Sequence, residues 1–79
     1  MSTTGTTLIR SFGLAVRQQR EARGWSQEGL AEHAGLNRSY IGEVERGAVT
    51  ASLVTVAKLA RAFGVPASQL VNRGETLSA

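Results

Sequence analysis

The chain has 79 residues, and we expect one small domain without a separate sensor or catalytic domain beside it. Hydrophobic residues make up 42% of it and charged residues 19%, which supplies a core and excludes wholesale disorder. The absence of cysteine excludes disulfides and thiolate metal sites. Nine Arg or Lys against six Glu give a net charge of +3, which favours a polyanionic partner, although it is also ordinary surface charge for a small domain.

The sequence carries no sign of export or of membrane insertion. Its first residues lack the charged segment, apolar run and cleavage pattern of a secretion signal. No apolar stretch approaches the roughly 20 residues that cross a bilayer. We therefore expect a cytoplasmic protein without a membrane partner.

The first part of the chain predicts a flexible arm and then one amphipathic helix. Residues 1–7 are almost all small and polar and show no periodicity, so they are typical of an arm. From Leu8 the pattern changes, since Phe12 and Val16 stand four positions apart with polar residues on the other faces. Gly24 is a typical C-cap and ends this first helix.

Two short helices joined by a tight turn come next. Ser26 is a good N-cap for a second helix that ends at Gly35. Only Gly35 and Leu36 separate this stop from Asn37, a good N-cap for a third helix that ends at Gly47. Two such helices with a glycine in the turn predict a helix-turn-helix.

The remaining chain predicts a hydrophobic fourth helix and a short fifth one. The fourth begins at Thr50 or Ser52 and ends at Gly64, with an apolar stripe that consists of Leu53, Val56, Leu59, Ala60 and Phe63. Pro66 suits the first turn of a fifth helix, and residues 72–79 are typical of a frayed polar tail. No strand pattern occurs, so we expect an all-α, five-helix bundle with one domain over residues 8–71.

The spacing that starts at Gln27 fits a helix-turn-helix that reads DNA. Ala31 is small where the second and third helices cross, and Gly35 supplies the positive φ of a sharp turn. Ile41 and Val44 anchor the third helix against the core. The residues left to point outward are Arg38, Ser39, Gly42, Glu43 and Arg46. Any small helical bundle has glycine stops and apolar pairs, but four such constraints in one short window favour the specific motif.

Two segments resemble the Xre, or Cro/C1-type, family of helix-turn-helix regulators. Residues 24–31, GWSQEGLA, are similar to the family's G-x-S-Q-x-x-L-A, and residues 38–47, RSYIGEVERG, are similar to its I-x-x-x-E-x-G. The resemblance covers residues 12–71 and is strongest to the controller proteins of restriction-modification systems. It implies a compact bundle of the lambda-repressor-like type and a sequence-specific, DNA-binding transcriptional regulator.

Phosphate contacts are expected from four residues, namely Ser26, Gln27, Tyr40 and Arg46. The resemblance implies that Gln27 acts on the DNA backbone, which suits an amide at a helix N-terminus. Alternatives remain open for three of them. Gln27 could be an ordinary surface residue, Tyr40 could be buried with its hydroxyl satisfied, and Arg46 could serve only the helix dipole.

Base reading is expected from the start of the third helix, through Asn37, Arg38, Ser39 and Glu43. Arg38 can donate two hydrogen bonds to guanine O6 and N7, and Glu43 can accept one from cytosine N4. The alternatives are that Arg38 is solvated and pairs with a nearby glutamate and that Asn37 only caps the helix.

The resemblance also implies an ion pair, and the apolar residues suggest a dimer. Arg20 and Glu45 match a partly buried pair that ties the first helix to the third. A chain this short is marginally stable alone, so we expect a homodimer whose interface includes Leu53, Val56, Leu70 and Val71.

Several positions depart from the family pattern. Gln19 stands where leucine is usual, so that side of the core is expected to be thinner or hydrated. Gly29 and Gly42 lie inside helices and each costs about 1 kcal/mol relative to alanine, and Gly42 could allow close approach of the backbone to DNA. Residues 48–51 are apolar where relatives often carry polar groups, which puts phosphate contacts from this loop in doubt.

An enzyme is not expected, because one histidine, no cysteine and no aspartate provide no catalytic set and no metal site. His33 is interpreted as a surface histidine. The sequence predicts no cofactor and no small-molecule effector, and RNA polymerase is a further partner that such a regulator would use. The alternatives are a phage or chromosomal repressor of the same family and a protein-interaction module of the antitoxin or adaptor kind.

Overall fold

The computed structural model describes residues 3–78, which form five α-helices. These are α1 (Thr3–Ala22), α2 (Gln27–Ala34), α3 (Arg38–Glu45), α4 (Leu53–Phe63) and α5 (Ala67–Ser78). The predicted all-α, five-helix architecture is therefore confirmed for this part of the chain. None of the five helices combines the length and the apolarity needed to cross a membrane.

Caps set the ends of the central helices as the sequence predicts. The side-chain oxygens of Ser26, Asn37 and Ser52 accept hydrogen bonds from backbone N–H groups in the first turns of α2, α3 and α4, at 2.9, 2.7 and 3.1 Å. Gly35 and Gly64 end α2 and α4 with left-handed φ angles of 67° and 73°. These local signals are the reason that the helix-turn-helix lies where the sequence puts it.

The core lies between all five helices, and each helix contributes to it. Its largest fully buried side chains are Val16, Leu30, Ile41, Val44, Leu59 and Leu70. Burial of each such side chain contributes about 1.5–3 kcal/mol. Two of the six belong to α3, so the inward face of this short helix is fixed by packing and its opposite face is left to solvent.

α1 crosses α3 at Gly13, at a distance that requires a glycine. A Cβ atom built on this residue would overlap the carbonyl oxygen of Val44 and would stand 2.8 Å from that of Glu45. The backbone of α1 therefore rests directly on the last carbonyl groups of α3. In the sequence this glycine has no local signature beyond its low helix propensity, because the contact that requires it is with a distant helix.

Arg20 of α1 and Glu45 of α3 form a two-pronged ion pair, as the family resemblance implies. Arg20 Nε donates to Glu45 Oε2 at 2.7 Å and Nη2 donates to Oε1 at 3.1 Å, while the side chains are only 13% and 3% exposed. Arg20 Nη1 also donates to the carbonyl of Trp25 at 2.8 Å. The hydrogen bond to Glu45 raises the pKa of Arg20, against the effect of burial. The pair therefore joins α1, α3 and the loop before α2.

Gln19 lines a polar cavity of about 290 Å³ beside Val65 and Leu70, which agrees with the expected thinner side of the core. It also holds Arg23, which follows the end of α1. Arg23 Nη1 donates to the backbone oxygen and to the side-chain oxygen of Gln19, at 2.8 and 2.9 Å. Arg23 Nη2 donates to the carbonyl of Phe63 at 2.7 Å and so satisfies an open carbonyl in the last turn of α4. The polar residue at this position thus ties α1 to α4.

The N-terminal prediction was wrong for residues 3–7, which form the first turns of α1 rather than an irregular arm. Residues 1 and 2 lie outside the described part of the chain. The reason is tertiary: α1 and α5 share the largest helix-to-helix contact of the fold, and the exposed first turns extend a helix that this packing has already formed, which costs less than starting a new one. Small polar residues have a weak preference of their own, and packing overrides it.

The C-terminal prediction was wrong for the same reason. Residues 72–78 continue α5 instead of fraying, while residue 79 lies outside the described part of the chain. Gly74 is buried, and a Cβ on it would stand 3.1 Å from Phe12 Cα of α1. A polar-looking segment therefore contains a close helix contact that a reading of its composition does not reveal.

Gly13→Ala should destabilise the fold although alanine favours helices. The new methyl group meets two backbone carbonyls that cannot move independently, so we expect the free energy of unfolding to fall by about 1–3 kcal/mol in urea denaturation. Gly5→Ala is the matched control, since it lies in the same helix with no atom within 4 Å of the added Cβ, and it should leave stability unchanged or raise it. Equal effects of the two substitutions would contradict the close crossing.

Glu45→Ala should cost about 3 kcal/mol of folding stability, because it leaves the Arg20 charge buried without its partner. The control is Glu21→Ala, which removes the exposed pair with Arg17, whose side chains are 58% and 53% exposed. That substitution should cost less than about 0.5 kcal/mol. Thermal and urea unfolding followed by circular dichroism measure both, and similar losses would refute the stabilising role of the buried pair.

Candidate nucleic-acid interface

The exposed face of α3 brings the predicted base-reading residues together. Arg38 and Ser39 are exposed in the first turn, Glu43 follows one turn later and is half-buried, and exposed Asn37 precedes the helix. This orientation follows from the burial of Ile41 and Val44 on the opposite side. The helix thus presents an arginine and short polar groups to solvent from a rigid support.

Two of the predicted DNA contacts also act as helix caps. Asn37 Oδ1 accepts from Ser39 N at 2.7 Å and Ser26 Oγ accepts from Gly29 N at 2.9 Å. The capping alternative for Asn37 is therefore what the structure shows. Its amide N–H groups are the part of the side chain that remains for a contact outside the protein.

Tyr40 has a partner for its hydroxyl inside the protein. It is half-buried, and its hydroxyl lies 3.2 Å from Thr55 Oγ1. Thr55 in turn accepts from the hydroxyl of Ser52 at 3.1 Å. This is the buried alternative that the sequence left open, and it links α3 to the first turn of α4 rather than aiming Tyr40 at a phosphate.

Gln27, the first residue of α2, extends the ion pair toward the surface. Its Nε2 donates to Glu45 Oε1 at 3.1 Å, and the residue is half-buried. The amide is thus oriented by Glu45, which is itself held by Arg20. The sequence suggested a role for each residue, but a contact between residues 18 positions apart leaves no local pattern to find.

Gly42 was expected to face outward, and this was wrong, because Arg46 and Gln27 cover it. Gly42 is buried, and a Cβ on it would stand 3.0 Å from Arg46 Nη1 and 3.6 Å from Gln27 Oε1. The guanidinium of Arg46 therefore lies across α3 instead of extending from its end. Two of the predicted phosphate ligands, Gln27 and Arg46, are brought to one place.

The predicted dimer residues divide into two groups. Val56 and Leu70 are buried in the core of the single chain, at 8% and 1% exposure, so the prediction was wrong for these two. Leu53 is 88% exposed, and its neighbour Val54, which the helical stripe did not include, is 64% exposed. Val71 is half-buried, at an apolar cavity of about 140 Å³. The cavity is also lined by Leu8, Ile9, Phe12, Val49, Thr50, Ala51 and Val56.

His33 stacks on an aromatic ring. Its ring and that of Trp25 lie nearly parallel with centroids 4.0 Å apart, and Trp25 stacks in turn on Phe63 at 6.1 Å. His33 Nδ1 lies 2.8 Å from the carbonyl oxygen of Gly29. Over residues 3–78, no three histidine, cysteine or acidic side chains converge as a metal site would require.

Comparison with known proteins places the chain in a family. A family model described as helix-turn-helix matches residues 16–70. A hypothetical transcription factor of Neisseria meningitidis is 45% identical over 56 residues, which cover 71% of this chain and 53% of that protein. Control protein C.BamHI of Bacillus amyloliquefaciens is 40% identical over 62 residues, which cover 77% of this chain and 76% of that protein. This chain thus spans about half the length of the Neisseria protein and three quarters of C.BamHI.

A solved structure agrees with these relatives. The crystal structure of the restriction-modification controller protein C.AhdI from Aeromonas hydrophila has a TM-score of 0.76 to this fold and 47% sequence identity, and it covers 78% of this chain and 94% of that one. The resemblance seen in residues 24–31 and 38–47 is therefore confirmed. This chain belongs to the Xre-like helix-turn-helix family of transcriptional regulators.

Proposed function

We propose that this regulator binds double-stranded DNA as a homodimer, with α3 of each subunit in a major groove of a palindromic operator. The observation that carries the proposal is the exposed polar face of α3, which is held outward by the buried Ile41 and Val44. In a helix-turn-helix dimer the two reading helices stand about 34 Å apart, one turn of duplex. The protein would act in the cytoplasm, where it would meet its operator and RNA polymerase.

Arg38 is the residue best placed to select a base. It is exposed in the first turn of α3, and neither ion pair of the described residues includes it. Its planar guanidinium is thus available to donate two hydrogen bonds to one guanine. Ser39 and the amide of Asn37 lie beside it, and Glu43 lies one turn further along the same face.

Gln27 and Arg46 are the phosphate ligands that the geometry supports. Gln27 stands at the N-terminus of α2, where open backbone N–H groups and the helix dipole favour an anion. Its side-chain amide has two N–H groups, of which Glu45 accepts one. The cationic end of Arg46 lies next to it. Such contacts fix the protein on the duplex without reading sequence.

The dimer proposal now rests on the first turn of α4. Leu53 and Val54 are neighbouring large apolar side chains that are mostly exposed, so a partner that covers them would remove apolar surface from water. A two-fold contact uses the same patch on both subunits. The two exposed residues are therefore the proposed centre of a homodimer interface, and the half-buried Val71 is a further candidate.

Among helix-turn-helix regulators, we propose the controller of a restriction-modification system. C.BamHI and C.AhdI carry the words control and controller in their names, and this chain matches most of the length of each. The alternative is a repressor such as that of Bacillus phage phi105, which is 38% identical over 67 residues. Neighbouring reading frames for an endonuclease and a methyltransferase would support the controller, and phage genes would support the alternative.

Arg38→Ala should flatten the base preference at one position of each half-site. Selection from random duplexes defines the operator for the wild-type protein, and gel-shift titrations then compare every base at each position. Loss of a guanine contact is worth about 1–3 kcal/mol of discrimination. Arg61→Ala, an exposed arginine in the last turn of α4, is the control and should keep the preference.

The same titrations separate the rival functions. If Arg38→Ala lowers the affinity for operator DNA and for random DNA by the same factor, Arg38 does not read a base. If the wild-type protein shifts no duplex even at low salt, the DNA-binding proposal fails and the protein-interaction module is favoured.

Leu53→Glu should convert a dimer into a monomer, because it places two carboxylates at the centre of the proposed interface. Sedimentation equilibrium at micromolar concentrations measures the change. Leu53 is 88% exposed, so the substitution should not disrupt the core of the subunit and lower its free energy of unfolding in that way. Ala22→Glu introduces the same charge at an exposed position at the end of α1 and should leave the dimer intact. A wild-type protein that is monomeric at high micromolar concentration would contradict the proposal.

A further inference from the structure

The space beside Gly42 is filled by a side chain that comes from further along the chain. Arg46 Nη1 lies 3.0 Å from the position of a Cβ on Gly42, and Gln27 Oε1 lies 3.6 Å from it. Any other residue at this position would put its first carbon into contact with the guanidinium. The glycine therefore lets the guanidinium of Arg46 lie a few tenths of an ångström closer to α3 than a Cβ would allow.

Gly42 differs from Gly13 in the kind of atoms that a Cβ would meet. The atoms that exclude a Cβ at Gly13 belong to the backbone of α3, whereas those at Gly42 are the ends of two side chains. A flexible arginine can move away from a methyl group at little cost to the fold. Alanine also favours a helix by about 1 kcal/mol over glycine. The stability of the fold thus does not require a glycine at Gly42.

On the other side of the space beside Gly42, two successive hydrogen bonds fix the side chain of Gln27. Glu45 accepts from Arg20 at 2.7 Å and from Gln27 Nε2 at 3.1 Å, so the amide nitrogen of Gln27 is turned toward the carboxylate. Its oxygen is thereby turned toward Gly42 and the guanidinium of Arg46. The buried ion pair therefore orients one of the two ligands, and the missing side chain of Gly42 admits the other.

We propose that Gly42 is a positioning residue for DNA binding, which lets Arg46 and Gln27 act together on one backbone phosphate. The inference rests on the proposed DNA-binding function and specifies how one contact with the DNA backbone is made. A phosphodiester oxygen is an acceptor with negative charge, and it suits the guanidinium together with the second N–H of the Gln27 amide. Because the ligand is the sugar-phosphate backbone, the effect is the same for every base sequence.

Gly42→Ala tests this by separating affinity from stability. The probe is a random-sequence duplex of roughly 30 base pairs, long enough for two half-sites one turn apart. Because a methyl group requires the guanidinium to shift by only a few tenths of an ångström, we expect affinity at low salt to fall about threefold. The slope of log affinity against log salt should become shallower, by about 2 at most, the value for loss of one phosphate contact per subunit. The midpoint of urea denaturation should stay the same or rise. A purely structural role for the glycine would instead lower the midpoint.

A double-mutant cycle shows whether Gly42 acts through Arg46. In an Arg46→Ala background, Gly42→Ala should leave the affinity for the same duplex unchanged, because the side chain that it displaces is gone. Gly5→Ala, at an open helical position, is the matched control and should change neither affinity nor salt slope.

Each other outcome overturns the proposal. If Gly42→Ala has the same affinity and the same salt slope as the wild-type protein, the open space beside Gly42 is not needed for DNA binding. An equal loss in the Arg46→Ala background would show that Gly42 acts without Arg46. These two results leave the DNA-binding function standing, whereas a wild-type protein that binds no duplex would remove that function and this inference with it.

Discussion

The orientation of α3 depends on the buried pair between Arg20 and Glu45. A helix of eight residues has little stability of its own, so its angle must be set by what it packs against. Ile41 and Val44 anchor its inner side, but apolar contacts have no direction and allow some rotation. The two-pronged ion pair supplies the direction, because its hydrogen bonds tolerate little change in geometry. The polar face of α3 is therefore presented at one angle.

The same pair joins the stability of the fold to the proposed phosphate contact of Gln27. Glu45 is held by Arg20 on one side and orients Gln27 on the other, so a side chain with only 3% exposure determines the orientation of a half-buried amide. Loss of either residue of the pair should therefore change both the folding stability and the orientation of Gln27. This connection is a reason to measure folding and DNA binding on the same variants.

The sequence was most informative where structure is local. Caps such as Ser26 and Asn37 act within three residues, so the central helices could be placed from residue types alone. It was misleading where contacts are distant in the chain. The helical extension over residues 72–78 depends on packing between α1 and α5, and the inward position of Leu70 depends on the whole bundle. For Gln27 and Arg46, the family resemblance and helix chemistry predicted a phosphate as the partner. Their approach to each other beside Gly42 is visible only in the folded structure.

The stack of His33, Trp25 and Phe63 has a practical consequence. Trp25 is the sole tryptophan of the chain, and it sits in the loop between α1 and α2, where its carbonyl also accepts from Arg20. Its indole emission therefore arises from one known corner of the molecule, where rings from α2 and α4 enclose it. The protein thus carries an intrinsic optical reporter of whether α1, α2 and α4 remain packed together at this corner, without any attached dye.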